Sequence, residues 1–230
     1  MQIGEHENKF ILPNYRSSVV RNFLARQCSP DPSYAEGIVS SIYFDTQDGA
    51  MLGEKLNSDF QKTKIRLRWY SSIKTQEPYS ELYLEIKVKI GSARKKKRHL
   101  LPLKSSWAIF QPLHNSCYFQ INKLLLTHGI YFGQPLFPVI QINYRRSRYI
   151  DSLSGARLSI DSDIHVGRIN NRQMTGYSNK TPLKYAVFEH KSRVTKLPDW
   201  LHRVNTIGDC RKSSFSKYSM CIAHLQERQN

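Results

Sequence analysis

The segment Glu5-His6-Glu7-Asn8-Lys9 carries two carboxylates and an ammonium at alternate residues. On a β-strand that spacing projects all three from one face, each roughly 7 Å from the next along the chain. Carboxylates that near to each other repel unless a cation lies between them. A divalent metal would meet that need, leaving Lys9 to reach a phosphate. A solvent-facing strand of mixed charge is the simpler reading of the same residues. The alternation recurs, however, at Lys62, Lys64, Arg66 and Arg68, at Glu85, Lys87 and Lys89, at Lys96 and Arg98, and at Glu189, Lys191 and Arg193. Apolar residues fill the gaps, as in Ile65, Leu67 and Trp69 or Leu84, Ile86 and Val88. Half-buried strands read this way. Many Lys and Arg with a few Glu, repeated along the whole chain, predict a sheet whose ionic face lines a cavity for a highly charged anion and a metal.

The composition agrees. Across 230 residues, 35 Lys plus Arg face 18 Asp plus Glu, giving a formal net charge of +17. Charge of that size repels itself in the folded state unless a polyanion is the usual partner. Nucleic acid, an anionic membrane and a phosphate-rich small molecule are the candidates. The basic run Arg94–Arg98 raises nucleic acid, but no RNA- or DNA-binding signature accompanies it, and the aromatics are not spaced as a stacking platform. No glycine-rich P-loop, H-E-x-x-H or G-x-S-x-G occurs. Cys28, Cys117, Cys210 and Cys221 form no C-x-x-C pair and are read as free thiols of a reducing, cytoplasmic compartment. No apolar leader is read, nor any stretch of about 20 apolar residues able to span a bilayer.

These residues need strands to hold them. Alternation predicts strands at Glu5–Leu12, Val39–Asp45, Lys62–Tyr70, Leu82–Ile90, Lys95–Leu103, Pro138–Ile150, Ala156–Asp161 and Leu183–Arg193. Helical spacing predicts Tyr15–Gln27, one or two helices within Ser106–Ile130 broken near Pro112 and ended by Gly129, then Leu197–Ile207 and Phe215–Gln226. With no repeat and no low-complexity linker, the chain is read as a single domain over 1–230. The predicted class is α+β, an antiparallel closed β-barrel of about eight strands decorated by helices. An open sheet with its basic face in solvent is the competing architecture.

Several ordered segments carry a family resemblance: Glu7-Asn8-Lys9-Phe10, Ser41-Ile42-Tyr43-Phe44-Asp45, Lys64-Ile65-Arg66-Leu67-Arg68-Trp69-Tyr70, Leu84-Glu85-Ile86-Lys87, Lys96-Lys97-Arg98, Tyr144-Arg145-Arg146, Arg157-Leu158-Ser159-Ile160-Asp161, Tyr185-Ala186-Val187-Phe188-Glu189-His190-Lys191 and Phe215-Ser216-Lys217-Tyr218. Through them the chain resembles the CYTH, or triphosphate tunnel metalloenzyme, superfamily, whose hallmark is E-x-E-x-K. More closely it resembles the VTC domain, the catalytic domain of polyphosphate polymerases. The resemblance implies that Lys9, Arg66, Arg68, Lys87, Arg146 and Arg157 line a tunnel and hold the triphosphate and growing chain. It implies that Glu189 binds Mn2+ or Mg2+, with Glu7, Glu5 and Glu85 as further ligands. Lys96, Arg98, Lys191 and Ser216 would contact substrate, and Lys217 would act from a helix at the tunnel. Two departures stand out. Ser214 occupies the place where the family often has a lysine, with Lys212 nearby. Strict alternation from Ile140 and Ile142 turns Arg145 inward, whereas the family pattern selects Arg146; a bulge would reconcile them.

The implied activity is polyphosphate synthesis, moving the γ-phosphate of ATP onto a polyphosphate end. If water is the acceptor instead, the same site is a triphosphatase. A non-catalytic polyanion-binding module is the alternative outside enzymology. ATP and polyphosphate or triphosphate are the expected ligands, and a membrane protein complex is a compatible partner.

Overall fold

Most of the eight long strands form where ionic and apolar residues alternate. The computed structural model describes residues 6–174, 181–193 and 198–227. In chain order the elements are β1 (His6–Pro13), α1 (Ser17–Gln27), β2 (Ser29–Pro30), β3 (Glu36–Asp45), α2 (Ala50–Leu56), β4 (Gln61–Ser71), β5 (Glu81–Ile90), β6 (Ala93–Lys104), α3 (Ser105–Phe110), α4 (Gln120–Thr127), β7 (Phe137–Ile150), β8 (Arg157–Ile169), β9 (Tyr185–Ser192), α5 (Trp200–Gly208), β10 (Arg211–Lys212) and α6 (Lys217–Gln226). All join one antiparallel sheet in the order β10-β1-β9-β8-β7-β3-β4-β5-β6, with β2 added beside β7.

The expected closed barrel of about eight strands is therefore corrected. The sheet has ten strands, two of them only two residues long, and no ladder joins β6 to β1. The free edge of β1 is partly taken by β10, which pairs Lys212 with Phe10 and Arg211 with Ile11. The seam is crossed by side chains instead. Glu7 of β1 lies 3.4 Å from Lys87 of β5 and 2.8 Å from Arg94 of β6.

Apolar packing explains the curl. The outward residues of β3, β4 and β5, including Ile42, Ile65, Leu67 and Leu84, form one cluster with Ala108 of α3 and with Ile121 and Leu125 of α4. Those of β1, β8 and β9 form another with Val20 and Leu24 of α1 and Leu201 and Val204 of α5. α6 lies inside the curl. Its buried Tyr218, Cys221, Ile222 and Leu225 recur at the helical i, i+3, i+4, i+7 spacing and pack on Tyr43, Ile142, Tyr144 and Val187. That packing settles the 145/146 question. Ile140 and Ile142 face the same side as Tyr144 because α6 covers them there, so β7 alternates unbroken and brings Arg146 inward. Arg145 instead reaches Glu36 at 2.9 Å. The extra residues lie across the ladder on β8, where the register steps from Asn143↔His165 to Arg145↔Ser162.

Asp163 (φ 55°) sits in that irregular stretch. The broken period hides the second half of β8 from sequence reading, and the strand runs to Ile169 rather than to Asp161. α4 ends as expected at Gly129, whose φ of 70° suits glycine, with Ile130 N–H donating to the Leu125 carbonyl at 2.9 Å. α2 was not foreseen. Its orphan amides are satisfied from the end of β3: Asp45 accepts from Met51 and Leu52 N–H at 2.8 and 3.0 Å, and Thr46 Oγ1 from Ala50 N–H at 2.8 Å.

Asp45 also accepts the Tyr218 hydroxyl at 3.0 Å, tying α6 to α2 through a fully buried carboxylate. Burial and Asp45 push the Tyr218 phenol well up, so it remains a donor at all working pH values. Tyr218→Phe should lower stability by about 1.5–3 kcal/mol, the usual worth of a hydrogen bond to a charged group. Urea unfolding should show a lower midpoint at unchanged slope; an unchanged midpoint would mean that this bond does not hold the helix.

Candidate active site

The concave face of the curled sheet encloses a cavity of about 550 Å³. Its lining comes from β1, β3, β4, β5, β6, β7, β9 and α6, with α2 and the segment 212–216 at one end. Fourteen Lys and Arg side chains line it against three Glu. Charges gathered from so many separate strands have no packing purpose, since each must be desolvated beside its like.

Four carboxylates organise the cations. Glu85, almost fully buried, meets Arg66 at 2.7 Å, Arg68 at 3.1 Å, Lys96 at 3.5 Å and Arg98 at 3.7 Å. Burial alone would raise its pKa, but Arg68 and Arg66 hold it well below the usual carboxylate range. Asp161, wholly buried on β8, takes Arg146 at 2.5 and 2.6 Å and Lys217 at 2.5 Å. Burial opposes its ionisation, and Arg146 and Lys217 override it. Glu7 meets Lys9, Lys87 and Arg94 at 3.2, 3.4 and 2.8 Å. Against the effect of burial, Lys9 and Lys87 hold it at about 2. Glu189, opposite Lys9 in the β1–β9 ladder, meets Lys9 at 3.5 Å and Lys191 at 3.7 Å. Lys9, Lys217 and Arg146 hold its pKa far down despite its burial.

Tyrosines orient the guanidiniums. Arg66 Nη1 donates to Tyr43 Oη at 2.9 Å. Arg68 donates to Ser41 Oγ at 3.0 Å and to Tyr144 Oη at 3.1 Å. Arg146 and the Lys217 ammonium both lie over the Tyr144 ring. At the start of α6, Ser216 Oγ accepts from Lys64 Nζ at 3.0 Å.

Of the residues singled out by sequence, Lys9, Arg66, Arg68, Lys87, Arg146, Lys217, Lys96, Lys191, Ser216, Glu189, Glu7 and Glu85 all line this cavity. Arg98 stands just outside, stacked on Tyr83 with its Cζ 3.7 Å from the ring centre. Arg157 does not reach the lining. It shares the inward face with Asp161 but sits four residues further along β8, exposed, opposite Lys191. Glu5 lies outside the described residues. Lys62, Lys64 and Lys89, which stand in the alternation, line the cavity too, as does Arg94, two residues before Lys96 and in phase with it. Asp161 could not be picked out from the alternation, because an acid among Leu158 and Ile160 reads as an ordinary strand residue. At the family's lysine position, Ser214 Oγ accepts from Lys55 Nζ at 3.1 Å, and Lys212 also lines the cavity. The ammonium missing from residue 214 is thus supplied from α2.

Glu189 and Glu7 fit a hard divalent cation. Both carboxylates face the same ammonium of Lys9, and ions of the Mg2+ type are held by one or two carboxylates with substrate phosphates and water supplying the rest. Among the described residues no third acid, His or Cys joins them. Glu85 is the most heavily paired of the three, with two guanidiniums and two further cations around it.

Comparison with known proteins agrees with this geometry. The model of the VTC domain family matches residues 4–226. A protein of Pyrococcus horikoshii OT3 shares the fold at TM-score 0.52 and 10% identity, over 95% of this chain and 99% of that one. A provisionally assigned adenylate cyclase of Bacillus halodurans does so at TM-score 0.51 and 12% identity, over 93% and 95%. No curated protein matches the sequence. No helix of the described residues is long and apolar enough to cross a membrane.

Lys64 is strongly perturbed by its neighbours in the cavity. Burial first, then Lys9, Arg66 and Lys87, lower its pKa from 10.5 to about 7. Between those values the unfolded chain holds a proton there that the folded chain lacks, so stability rises with pH through that window and is least below pH 7. The melting temperature of the protein without ligand should therefore climb between pH 7 and 9 more steeply than that of Lys64→Met. Parallel profiles for the two proteins would show that Lys64 keeps its proton when folded.

Proposed function

Because the chain belongs to the VTC domain family, we propose that it is a polyphosphate polymerase, using ATP to lengthen an inorganic polyphosphate chain within the cavity. The observation that carries this reading is the lining of fourteen cations against three carboxylates, drawn from both sides of a curled sheet. Only a ligand with many closely spaced negative charges neutralises such a lining.

Phosphoryl transfer needs positioning and charge stabilisation more than covalent help. Arg66 and Arg68, set by Glu85 and by the tyrosine hydroxyls, present guanidinium forks suited to phosphate oxygens. Arg146 and Lys217, fixed by Asp161, face them from the other wall. An oxygen of the polyphosphate end attacks the γ-phosphorus of ATP in line. The bond from that phosphorus to the β–γ bridging oxygen breaks, ADP leaves, and the chain is longer by one phosphate. Lys9, Lys87 and Lys96 take up the charge that shifts toward the leaving oxygen, in surroundings where partial burial strengthens each contact. A divalent ion on Glu189 and Glu7 would supply Lewis-acid stabilisation of the same oxygens.

Incubation with ATP and Mn2+ or Mg2+ should yield acid-insoluble polyphosphate together with ADP. Release of free phosphate in step with ADP would instead make the protein a triphosphatase. Glu189→Gln should reduce turnover by at least tenfold while still binding triphosphate, read as a rise in melting temperature. Full activity in that variant would remove the proposed metal role.

A further inference from the structure

A second feature adjoins the cavity beside Glu85. Tyr34 and Tyr70 stack at 6.5 Å between centroids and 22° between planes, and Tyr70 meets Tyr83 edge-on at 6.3 Å. Two guanidiniums are layered with them. Arg98 lies 3.7 Å over Tyr83 and 5.5 Å over Tyr70, and Arg148 lies 5.8 Å over both Tyr34 and Tyr70. Those residues come from the loop before β3 and from β4, β5, β6 and β7, so no sequence window shows them together.

A stack that served only packing would be buried. Here Tyr34 is 61% exposed and the Arg98 side chain 39% exposed, while the cluster is held firmly from beneath. Asp31 accepts the amides of Ser33 and Tyr34, both at 2.9 Å, and Arg148 Nη1 donates to the Tyr34 carbonyl at 3.0 Å. Arg98 Nη2 donates to Tyr70 Oη at 3.4 Å. The cluster is continuous with the phosphate-facing groups: Arg98 shares the Glu85 carboxylate with Arg66 and Arg68. From Arg66 to Tyr70 is four residues of β4, or about 13 Å. That leaves room for a triphosphate and its ribose between them.

We infer that Tyr34, Tyr70 and Tyr83, layered with Arg98 and Arg148, form a stacking platform for the base of a nucleoside triphosphate at this mouth of the cavity. The inference rests on the triphosphate reading above and adds the part of the substrate that inorganic triphosphate lacks. Aromatic and guanidinium faces bind any base, because every base has a π face. No amide side chain belongs to the cluster, so adenine and guanine are held alike.

The test is calorimetric binding, with Mg2+, of three probes: the β,γ-imido analogues of ATP and of GTP, and inorganic tripolyphosphate. Tyr34→Ala removes an exposed ring with little burden on folding, and Tyr83→Leu removes the ring under Arg98. Each should weaken both nucleotide analogues by about tenfold, the usual scale of one lost base-stacking contact. Tripolyphosphate affinity should stay within twofold. Equal losses for all three probes, or no loss for the nucleotides, would overturn the platform while leaving the phosphate site intact. A wild-type protein that binds none of the three would overturn the platform and the polymerase reading together.

Discussion

The organising constraint is like-charge repulsion inside a curled sheet. Most strands that border the cavity turn cations toward it, and four carboxylates hold them in place. Each carboxylate joins elements distant in sequence: Glu85 ties β4 to β6, Asp161 ties β7 and α6 to β8, Glu7 draws β5 and β6 toward β1 across the open seam, and Glu189 pairs with Lys9 across the β1–β9 ladder. Breaking one of these pairs would leave a buried charge uncompensated, far more unfavourable than never having had the pair. The acids are thus few because their task is to set the cations in position, and the remaining positive charge is left for a ligand.

The lowered pKa of Lys64 follows from the same imbalance. Without a polyanion, it gives up its proton near neutral pH, far below an ordinary lysine. With phosphates nearby, the ammonium becomes the favoured form. A ligand of that kind therefore brings its own countercharge to a protein that has already paired what it can, and binding and stability are two expressions of one charge ledger. Lys87 and Lys96 are shifted in the same direction, chiefly by burial, whereas Lys217, held by Asp161, is shifted up.

How much of this could be read from the sequence follows from the same physics. Alternation over a long segment is a strong signal, and it gave most of the long strands and most of the cavity-lining cations, whereas Arg146, Ser216 and Lys217 came from the family resemblance. Features that depend on pairing between distant segments were not legible. β2 and β10 are too short to carry a period, and β10 takes part of the β1 edge. Bulges on β8 reset its phase. Ile140 and Ile142 look like outward residues until α6 is known to lie inside the curl. Arg157 has the correct parity, yet lies too far along its strand to reach the lining. Asp161 and the tyrosine–arginine cluster acquire their roles only from neighbours that the fold supplies.

The cavity is not symmetrical along its length, and the chemistry of its two ends differs accordingly. At one end stand Lys55, Lys62, Lys89 and Lys212, flexible point charges with no preferred approach to a phosphate. In the middle, guanidiniums are locked by carboxylates and hydroxyls into fixed forks. At the other end lie the layered rings. Fixed forks suit a transfer that must hold reacting atoms in line. Lysines suit a polymer that must advance by one repeat without meeting a deep well at any position. Rings suit the base, the one part of a nucleotide with a flat, uncharged π face. A strip of surface ordered in this way presents different chemistry to the two ends of a bound polyanion.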